Sequence, residues 1–220
     1  MALTSTGMTL ADLLERFGAI PAARIRYDPP PGTATEQDVI ALEARENRLF
    51  ELVDGVLVEK AIGFYESFLA MRLAQFLLAF VERYALGIVA GADGMLRLAP
   101  GRVRIPDISF ISWDRLPRRR VPRQPIPDLV PDLAVEVLSE GNTPREMGQK
   151  LREYFTAGVR LVWYVDPILQ EVHVYTAPDR REVLTADHTL HGGEVLPGFT
   201  LPVHQLFAEP TESPDHQQEL

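Results

Sequence analysis

The spacing of hydrophobic and polar positions predicts a chain of alternating helices and strands. Hydrophobic residues recur at intervals of three and four between residues 65 and 84, which predicts a long core helix. Shorter stretches that begin with a threonine or carry an early proline predict further helices. These stretches are residues 9–17, 35–45, 142–157 and 202–207.

Short apolar runs between these helices predict strands. Two β-prone runs joined by Asp54-Gly55, within residues 49–60, indicate a hairpin. The nearly continuous apolar run 133–138 is typical of a strand buried on both faces. Other strands are predicted over residues 88–90, 95–98, 105–112, 161–165, 171–176 and 181–184. This mixture predicts an α/β or α+β domain with helices packed on a sheet.

The composition favours one main globular domain with irregular ends. The chain has 220 residues, of which 46% are hydrophobic, and this is enough for a sizeable core. The segment 28–32 contains three consecutive prolines and cannot form regular structure. We therefore expect an N-terminal helix and arm over residues 1–34 and a main domain over residues 35–207. The acidic tail, residues 208–220, is expected to be disordered.

The sequence also lacks the signatures of several function classes. It has no cysteine, which excludes disulfides, thiol catalysis and cysteine-bound zinc. It has no phosphate-binding loop, nucleophile elbow or dinucleotide-binding glycine motif, so we expect no small-molecule cofactor. No apolar run reaches eighteen residues and no secretory signal pattern is seen, so we expect a cytoplasmic protein without a membrane span. The net charge of −9 argues against binding nucleic acid by bulk electrostatics.

Two acidic residues occupy apolar surroundings. Glu136 lies inside the apolar run 133–138, where an ionised carboxylate is costly unless it is paired or bound to a cation. Asp107 lies near the start of the predicted strand 105–112, directly after a proline. The alternatives stay open here: an edge-strand glutamate that faces water, and an aspartate that caps a turn.

Lys150 is a third candidate. The chain has two lysines, Lys60 and Lys150, against twenty arginines, which suggests that this position needs a compact, tunable ammonium. Lys150 belongs to a helical stripe that should face the sheet, together with Met147, Leu151 and Tyr154. The alternative is a surface lysine paired with Glu146 or Glu153.

Two strand carboxylates and a lysine that converge at one point indicate phosphodiester hydrolysis. Carboxylates are hard oxygen ligands that suit Mg²⁺, which also keeps waters and phosphate oxygens in its coordination shell. A bound metal lowers the pKa of its water and offsets charge on the attacking and leaving oxygens. A nearby ammonium orients that water or neutralises the transition state.

Five segments, in order, resemble the Uma-two group of endonuclease-like proteins, which belongs to the PD-(D/E)xK nuclease superfamily. The resemblance extends from about residue 49 to residue 207. It is carried by Phe50-Glu-Leu-Val-Asp-Gly-Val-Leu57, Ile105-Pro-Asp-Ile-Ser-Phe110, Pro131-Asp-Leu-Ala-Val-Glu-Val-Leu-Ser139, Lys150-Leu-Arg-Glu-Tyr154 and Gly158-Val-Arg-Leu-Val-Trp-Tyr-Val-Asp-Pro167.

The resemblance implies an α/β restriction-endonuclease-like fold, with a central mixed β-sheet flanked by helices and Mg²⁺ at one end. It implies that Asp107 is the aspartate of the PD motif and that Glu136 is the acidic strand residue, both of them metal ligands. Leu138 stands where the superfamily has its lysine, and the resemblance implies that Lys150 replaces it. Glu51 resembles an upstream acidic residue of the family and is a candidate third ligand, with an exposed hairpin glutamate as the alternative.

The resulting prediction is a Mg²⁺-dependent endonuclease that acts on DNA, with Mn²⁺ able to substitute. Candidate DNA phosphate contacts are Arg115, Arg118, Arg119, Arg120 and Arg123, unless they are solvated loop residues. A homodimer would place two active sites on a duplex, with the arm 18–34 holding the partner. Two alternatives stay open: an inactive protein of this fold that acts in binding or assembly, and a nuclease for RNA or structured DNA.

Overall fold

The described part of the chain alternates between helices and short strands. The computed structural model describes residues 9–61 and 63–209. Its helices are α1 (Leu10–Arg16), α2 (Glu36–Glu46), α3 (Phe64–Arg83), α4 (Pro144–Ala157) and α5 (Val203–Phe207). Its strands are β1 (Ile25–Arg26), β2 (Phe50–Val53), β3 (Val56–Glu59), β4 (Gly87–Ala90), β5 (Leu96–Ala99), β6 (Arg102–Arg104), β7 (Ile108–Ser112), β8 (Leu133–Val137), β9 (Leu161–Asp166), β10 (Glu171–Ala177), β11 (Arg180–Leu184), β12 (Thr189–His191) and β13 (Thr200–Pro202).

A mixed sheet of six strands forms the centre of the fold. Its strand order is β11-β10-β9-β8-β7-β4, and β8 and β9 are parallel while the other neighbours are antiparallel. A second sheet of five strands, in the order β1-β3-β2-β6-β5, is antiparallel throughout. Strands β12 and β13 form a separate antiparallel pair. The central mixed sheet confirms the predicted fold class.

Helices cover both faces of the central sheet. Helices α3 and α5 lie on one face, in a core that includes Leu133, Val135 and Val137 of β8. Helix α4 lies on the other face, in a core that includes Ala134. Because successive side chains of a strand point to opposite faces, Glu136 is directed towards α4. Strand β8 is therefore covered on both faces, as its apolar sequence predicts.

Local signals determine both ends of α4. The Thr143 hydroxyl accepts a hydrogen bond from the Glu146 N–H at 3.1 Å, and the Glu146 carboxylate accepts one from the Thr143 N–H at 3.3 Å. Pro144 occupies the first turn, where its missing N–H leaves no partner unsatisfied. Gly158 ends the helix in the left-handed conformation, with φ of 101°. The predicted helix 142–157 is thus confirmed within two residues.

The N-terminal arm packs against its own chain. The N–H of Gly32 donates to the carbonyl of Gly55 at 2.8 Å, in the turn of the β2–β3 hairpin. Arg24 forms an ion pair of 2.8 Å with Glu146 in the first turn of α4. The arm 18–34 therefore belongs to the packing of the hairpin and α4. That it also holds a partner subunit stays a prediction.

The structure corrects the predicted strand 105–112. Proline has no N–H for a strand ladder, and Pro106 lies between β6 in the second sheet and β7 in the central sheet. Strands β1, β6, β12 and β13 were not predicted, because runs of two or three residues show no readable periodicity. Of the tail predicted to be disordered, residues 210–220 lie outside the described residues.

Helix α3 is long and apolar enough to cross a membrane by length and composition, although no membrane span was predicted. Its buried side chains include Leu69, Leu73, Leu77 and Val81, and they pack in the core of the central sheet. Its other side is exposed, and Met71 retains 68% of its accessible surface. In the described structure α3 is thus the amphipathic core helix that its three-and-four spacing predicts.

Replacing Gly55 by alanine is expected to destabilise the domain by about 2–3 kcal/mol. Gly55 has φ of +79°, and a Cβ there would lie 2.5 Å from the backbone of Gly32. Gly101 is a matched control, because its φ of +71° imposes the same strain but nothing lies within 4 Å of its Cβ position. Gly101→Ala should cost about 1 kcal/mol. Urea denaturation of both variants measures this difference, and equal losses would contradict the close packing of the arm on the hairpin.

Candidate active site

Two carboxylates meet where β7 begins and β8 ends. The antiparallel register pairs Ile108 with Val135, so Asp107 lies beside the end of β8 that carries Glu136. The N–H of Asp107 donates to the carbonyl of Val135 at 2.9 Å. The N–H of Val137 donates to Oδ2 of Asp107 at 2.7 Å. The backbone thereby fixes the Asp107 carboxylate next to Glu136.

Helix α4 brings a lysine and a tyrosine to Glu136. Lys150 Nζ lies 2.8 Å from Oε1 of Glu136, and the Tyr154 hydroxyl donates to the same oxygen. Lys150 and Tyr154 are four residues apart and therefore share one face of α4. Both contacts are made to Oε1, so two groups of α4 hold Glu136.

Glu51 extends the network into the second sheet. Its Oε1 accepts from Lys150 Nζ at 2.9 Å and from the N–H of Ile105 at 3.1 Å. Its Oε2 accepts from Nη1 of Arg104 at 2.6 Å. Arg104 also donates through Nε to Glu153 of α4 at 2.9 Å. The alternative interpretation of Glu51 as an exposed hairpin residue is therefore wrong, because Glu51 is only 2% exposed.

A second lysine contacts the other carboxylate. Lys60, directly after β3, lies with its Nζ 2.9 Å from Oδ1 of Asp107 and donates to the carbonyl of Ala92 at 2.9 Å. Its side chain is 6% exposed. Lys60 was not predicted as a site residue. The scarcity of lysine that pointed to Lys150 applies equally to Lys60 and was the available signal.

The structure brings Glu51, Glu136 and Lys150 into direct contact, and Asp107 joins them beside Glu136. The alternative of a surface lysine at position 150 is wrong, because Lys150 is 6% exposed and binds two carboxylates. Arg104 and Tyr154 were not predicted as members of the site.

The charges of the site are strongly coupled. Burial raises the pKa of Glu136, and the nearby carboxylates of Asp107 and Glu51 raise it further, against the effect of Lys150. Burial also disfavours ionisation of Glu51, but Lys150 and Arg104 outweigh it and lower the pKa of this carboxyl. Burial lowers the pKa of Lys150, and its two carboxylate partners raise it well above its usual value. The ammonium of Lys150 therefore stays charged.

The donor set at Asp107 and Glu136 fits a hard divalent cation. Both are carboxylates, and their mutual repulsion would be relieved by positive charge. Within residues 9–61 and 63–209, no group of three aspartate, glutamate, histidine or cysteine side chains is placed to hold a metal ion. Both oxygens of Glu51 contact cationic groups. The site therefore suits a divalent ion that binds these two carboxylates and completes its coordination shell with water or phosphate oxygens.

The five arginines predicted to contact DNA phosphates lie in the loop that follows the C-terminal end of β7. Their loop leaves β7 at Ser112 and enters β8 at Leu133, whereas Asp107 and Glu136 lie at the opposite ends of these strands. Arg115 supports the fold, because its Nε lies 3.0 Å from Asp132 and its Nη2 donates to the carbonyl of Gly158 at 2.7 Å. The four others are exposed: Arg118, Arg119, Arg120 and Arg123. Their contact with DNA phosphates stays a prediction.

Replacing Glu51 by glutamine is expected to flatten the acid side of the stability profile. A carboxyl whose pKa is lowered by folding stabilises the native state above its unfolded-state pKa, and this contribution is lost as the pH falls. The wild-type free energy of unfolding should therefore fall below about pH 4.5, and Glu51→Gln should show a shallower fall from a lower plateau. Urea denaturation at several pH values measures both slopes. Glu182→Gln, on exposed β11, is the control, and a slope in Glu51→Gln equal to wild type would contradict the assignment.

Comparison with known proteins agrees with this architecture. Residues 36–204 match the Uma2 family, whose description is "Putative restriction endonuclease". The solved structure described as "a putative nuclease belonging to DUF820", from Anabaena variabilis ATCC 29413, is similar with a TM-score of 0.64 at 19% identity, over 91% of this chain and 97% of that one. No curated protein matches the chain in sequence. The chain therefore has the restriction-endonuclease-like fold and belongs to the Uma2 family.

Proposed function

We propose that the chain is a Mg²⁺-dependent endonuclease that hydrolyses phosphodiester bonds of DNA, with Mn²⁺ able to substitute. The observation that carries this proposal is the pair Asp107 and Glu136, two largely buried carboxylates held side by side at the joined ends of β7 and β8. Membership of a family described as restriction endonucleases supports nuclease chemistry and DNA as the substrate class.

The residues of the chain hold the two proposed metal ligands in fixed positions. The N–H of Val137 orients the Asp107 carboxylate through Oδ2. Lys150 and Tyr154 orient Glu136 through Oε1. When bound, Mg²⁺ supplies an activated water and offsets charge on the scissile phosphate. Fixed ligands are favourable because the site needs little reorganisation during the reaction.

Lys150 acts in this proposal chiefly as a positioning residue. Its ammonium lies between Glu136 and Glu51, at 2.8 Å and 2.9 Å, and it is well suited to keep the buried Glu136 ionised and oriented. Glu51 and Arg104 stand behind Lys150 and anchor it to the second sheet. Direct assistance of Lys150 to the attacking water stays a prediction.

Replacing either carboxylate should abolish metal-dependent cleavage. Glu136→Gln and Asp107→Asn each remove a charged oxygen ligand and are expected to reduce cleavage of supercoiled plasmid in Mg²⁺ by about 100-fold or more. Agarose electrophoresis of the products measures the rate, and linear rather than nicked product would favour a homodimer. Glu182→Gln on exposed β11 is the control and should cleave like wild type.

The outcomes separate the alternatives. Undiminished cleavage by Glu136→Gln or Asp107→Asn would contradict the site. Cleavage of a labelled RNA, with an intact plasmid, would correct the substrate class and keep the site. If the wild type cleaves neither substrate but binds Mn²⁺ in calorimetry, and Asp107→Asn does not, the carboxylate pair holds metal without turnover, and the proposed catalysis is wrong.

A further inference from the structure

One of the two lysines faces a cavity beside the proposed metal ligands. The cavity has a volume of about 120 Å³ and opens next to Asp107. Lys60 lines it, whereas Lys150 and Glu136 do not. Its other walls come from the start of α3 and from the turn that follows β4, and they include Gly63, Ser67 and Ala92.

We propose that this cavity is the subsite for the scissile phosphate and that Lys60 is the ammonium that contacts it. The inference rests on the proposed nuclease function and names the residue that receives the substrate. It assigns a catalytic contact to Lys60 and an internal, positioning contact to Lys150.

The hydrogen bonds of Lys60 support this role. An ammonium has three donors, and two of them are directed to Asp107 Oδ1 and to the carbonyl of Ala92. The third remains for a ligand in the cavity. The Ala92 carbonyl is neutral and belongs to the backbone, so it holds Lys60 in place even when the Asp107 oxygen binds another cation. Lysine in such a setting is a compact point charge, which suits a phosphate oxygen.

The surroundings of Lys150 do not suit a phosphate. Its Nζ is bound by the carboxylates of Glu136 and Glu51. Arg104 adds one positive charge and Glu153 adds one negative charge to the same cluster. The two carboxylates in direct contact with Lys150 outnumber its single positive charge, so Lys150 has no excess charge to attract an anion.

The cavity lining makes phosphate entry depend on a bound cation. Lys60 shares the lining with three carboxylates, those of Asp107, Glu66 and Asp93. A divalent cation held at Asp107 and Glu136 would offset the charge of Asp107, one of these three carboxylates, and would make the cavity less negative. The N-terminal end of the 20-residue helix α3, capped at Gly63, adds partial positive charge at the same place. We therefore expect metal and substrate to bind in that order.

The test compares Lys60→Met with the charge-matched control Arg83→Met, at the far end of α3. Three quantities are measured: the single-turnover cleavage rate of plasmid in Mg²⁺, the anisotropy of a fluorescent duplex oligonucleotide in Ca²⁺, and Mn²⁺ affinity by calorimetry without DNA. For Lys60→Met we expect the rate to fall about 100-fold. We also expect weaker oligonucleotide binding, by about fivefold, and Mn²⁺ affinity equal to or tighter than wild type, because a like charge leaves Asp107. Arg83→Met should resemble wild type in all three.

The pattern distinguishes a catalytic contact from a structural one. Lys60→Arg keeps the charge and should restore the rate to within about tenfold of wild type. A structural role predicts weaker Mn²⁺ binding, because Asp107 would lose its orientation, and that result would overturn the inference. If Lys60→Met does not fold, Lys60→Gln can replace it, since its amide is a hydrogen-bond donor without a charge. A folded Lys60→Met or Lys60→Gln variant that cleaves plasmid at the wild-type rate, while wild-type cleavage depends on metal, would reject the contact between Lys60 and the phosphate. That result would not contradict the proposed nuclease function. Absence of metal-dependent cleavage in wild type itself would instead reject the proposed function.

Discussion

The position of the site depends on one requirement, the balance of buried charge around Lys150. An uncompensated charge in a protein interior costs several kcal/mol, so the members of this cluster have to be assembled together. The second sheet supplies Glu51 and Arg104, the central sheet supplies Glu136, and α4 supplies Lys150 and Glu153. No single element can satisfy its own charges. The two sheets and α4 must therefore meet in one arrangement.

The same requirement positions the carboxylate pair. Arg104 ends the strand of the second sheet that carries it, and Asp107 follows three residues later, just before the chain enters the central sheet. The segment that crosses between the sheets is thus anchored at one end by the Arg104–Glu51 ion pair and at the other by the hydrogen bond from Val137 to Asp107. A buried network in which each charge has a partner keeps this segment rigid.

The two lysines lie in different electrostatic surroundings. Lys150 is enclosed by carboxylates and stabilises the interior, where it keeps Glu136 in place. Lys60 lies at the edge of the interior, where one of its contacts is a backbone carbonyl and its surroundings include an open cavity. If the chain acts on DNA as we propose, the phosphate would contact Lys60 rather than Lys150. Lys60 thus places one positive charge among the carboxylates that line this cavity, in a chain whose net charge is −9.

The sequence by itself determined the local elements and the two central carboxylates. Thr143 and Gly158 delimit α4 through hydrogen bonds within a few residues, and Glu136 was recognisable because a charge in an apolar strand needs a partner. Only the tertiary structure decided that Lys60 meets Asp107, that Glu51 supports Lys150, and that the loop of Arg115 begins at the far end of β7. Contacts between residues far apart in the chain depend on strand register and on how elements stack. Strand register and the stacking of elements are determined by the packing of the whole domain, and no local sequence pattern encodes that packing.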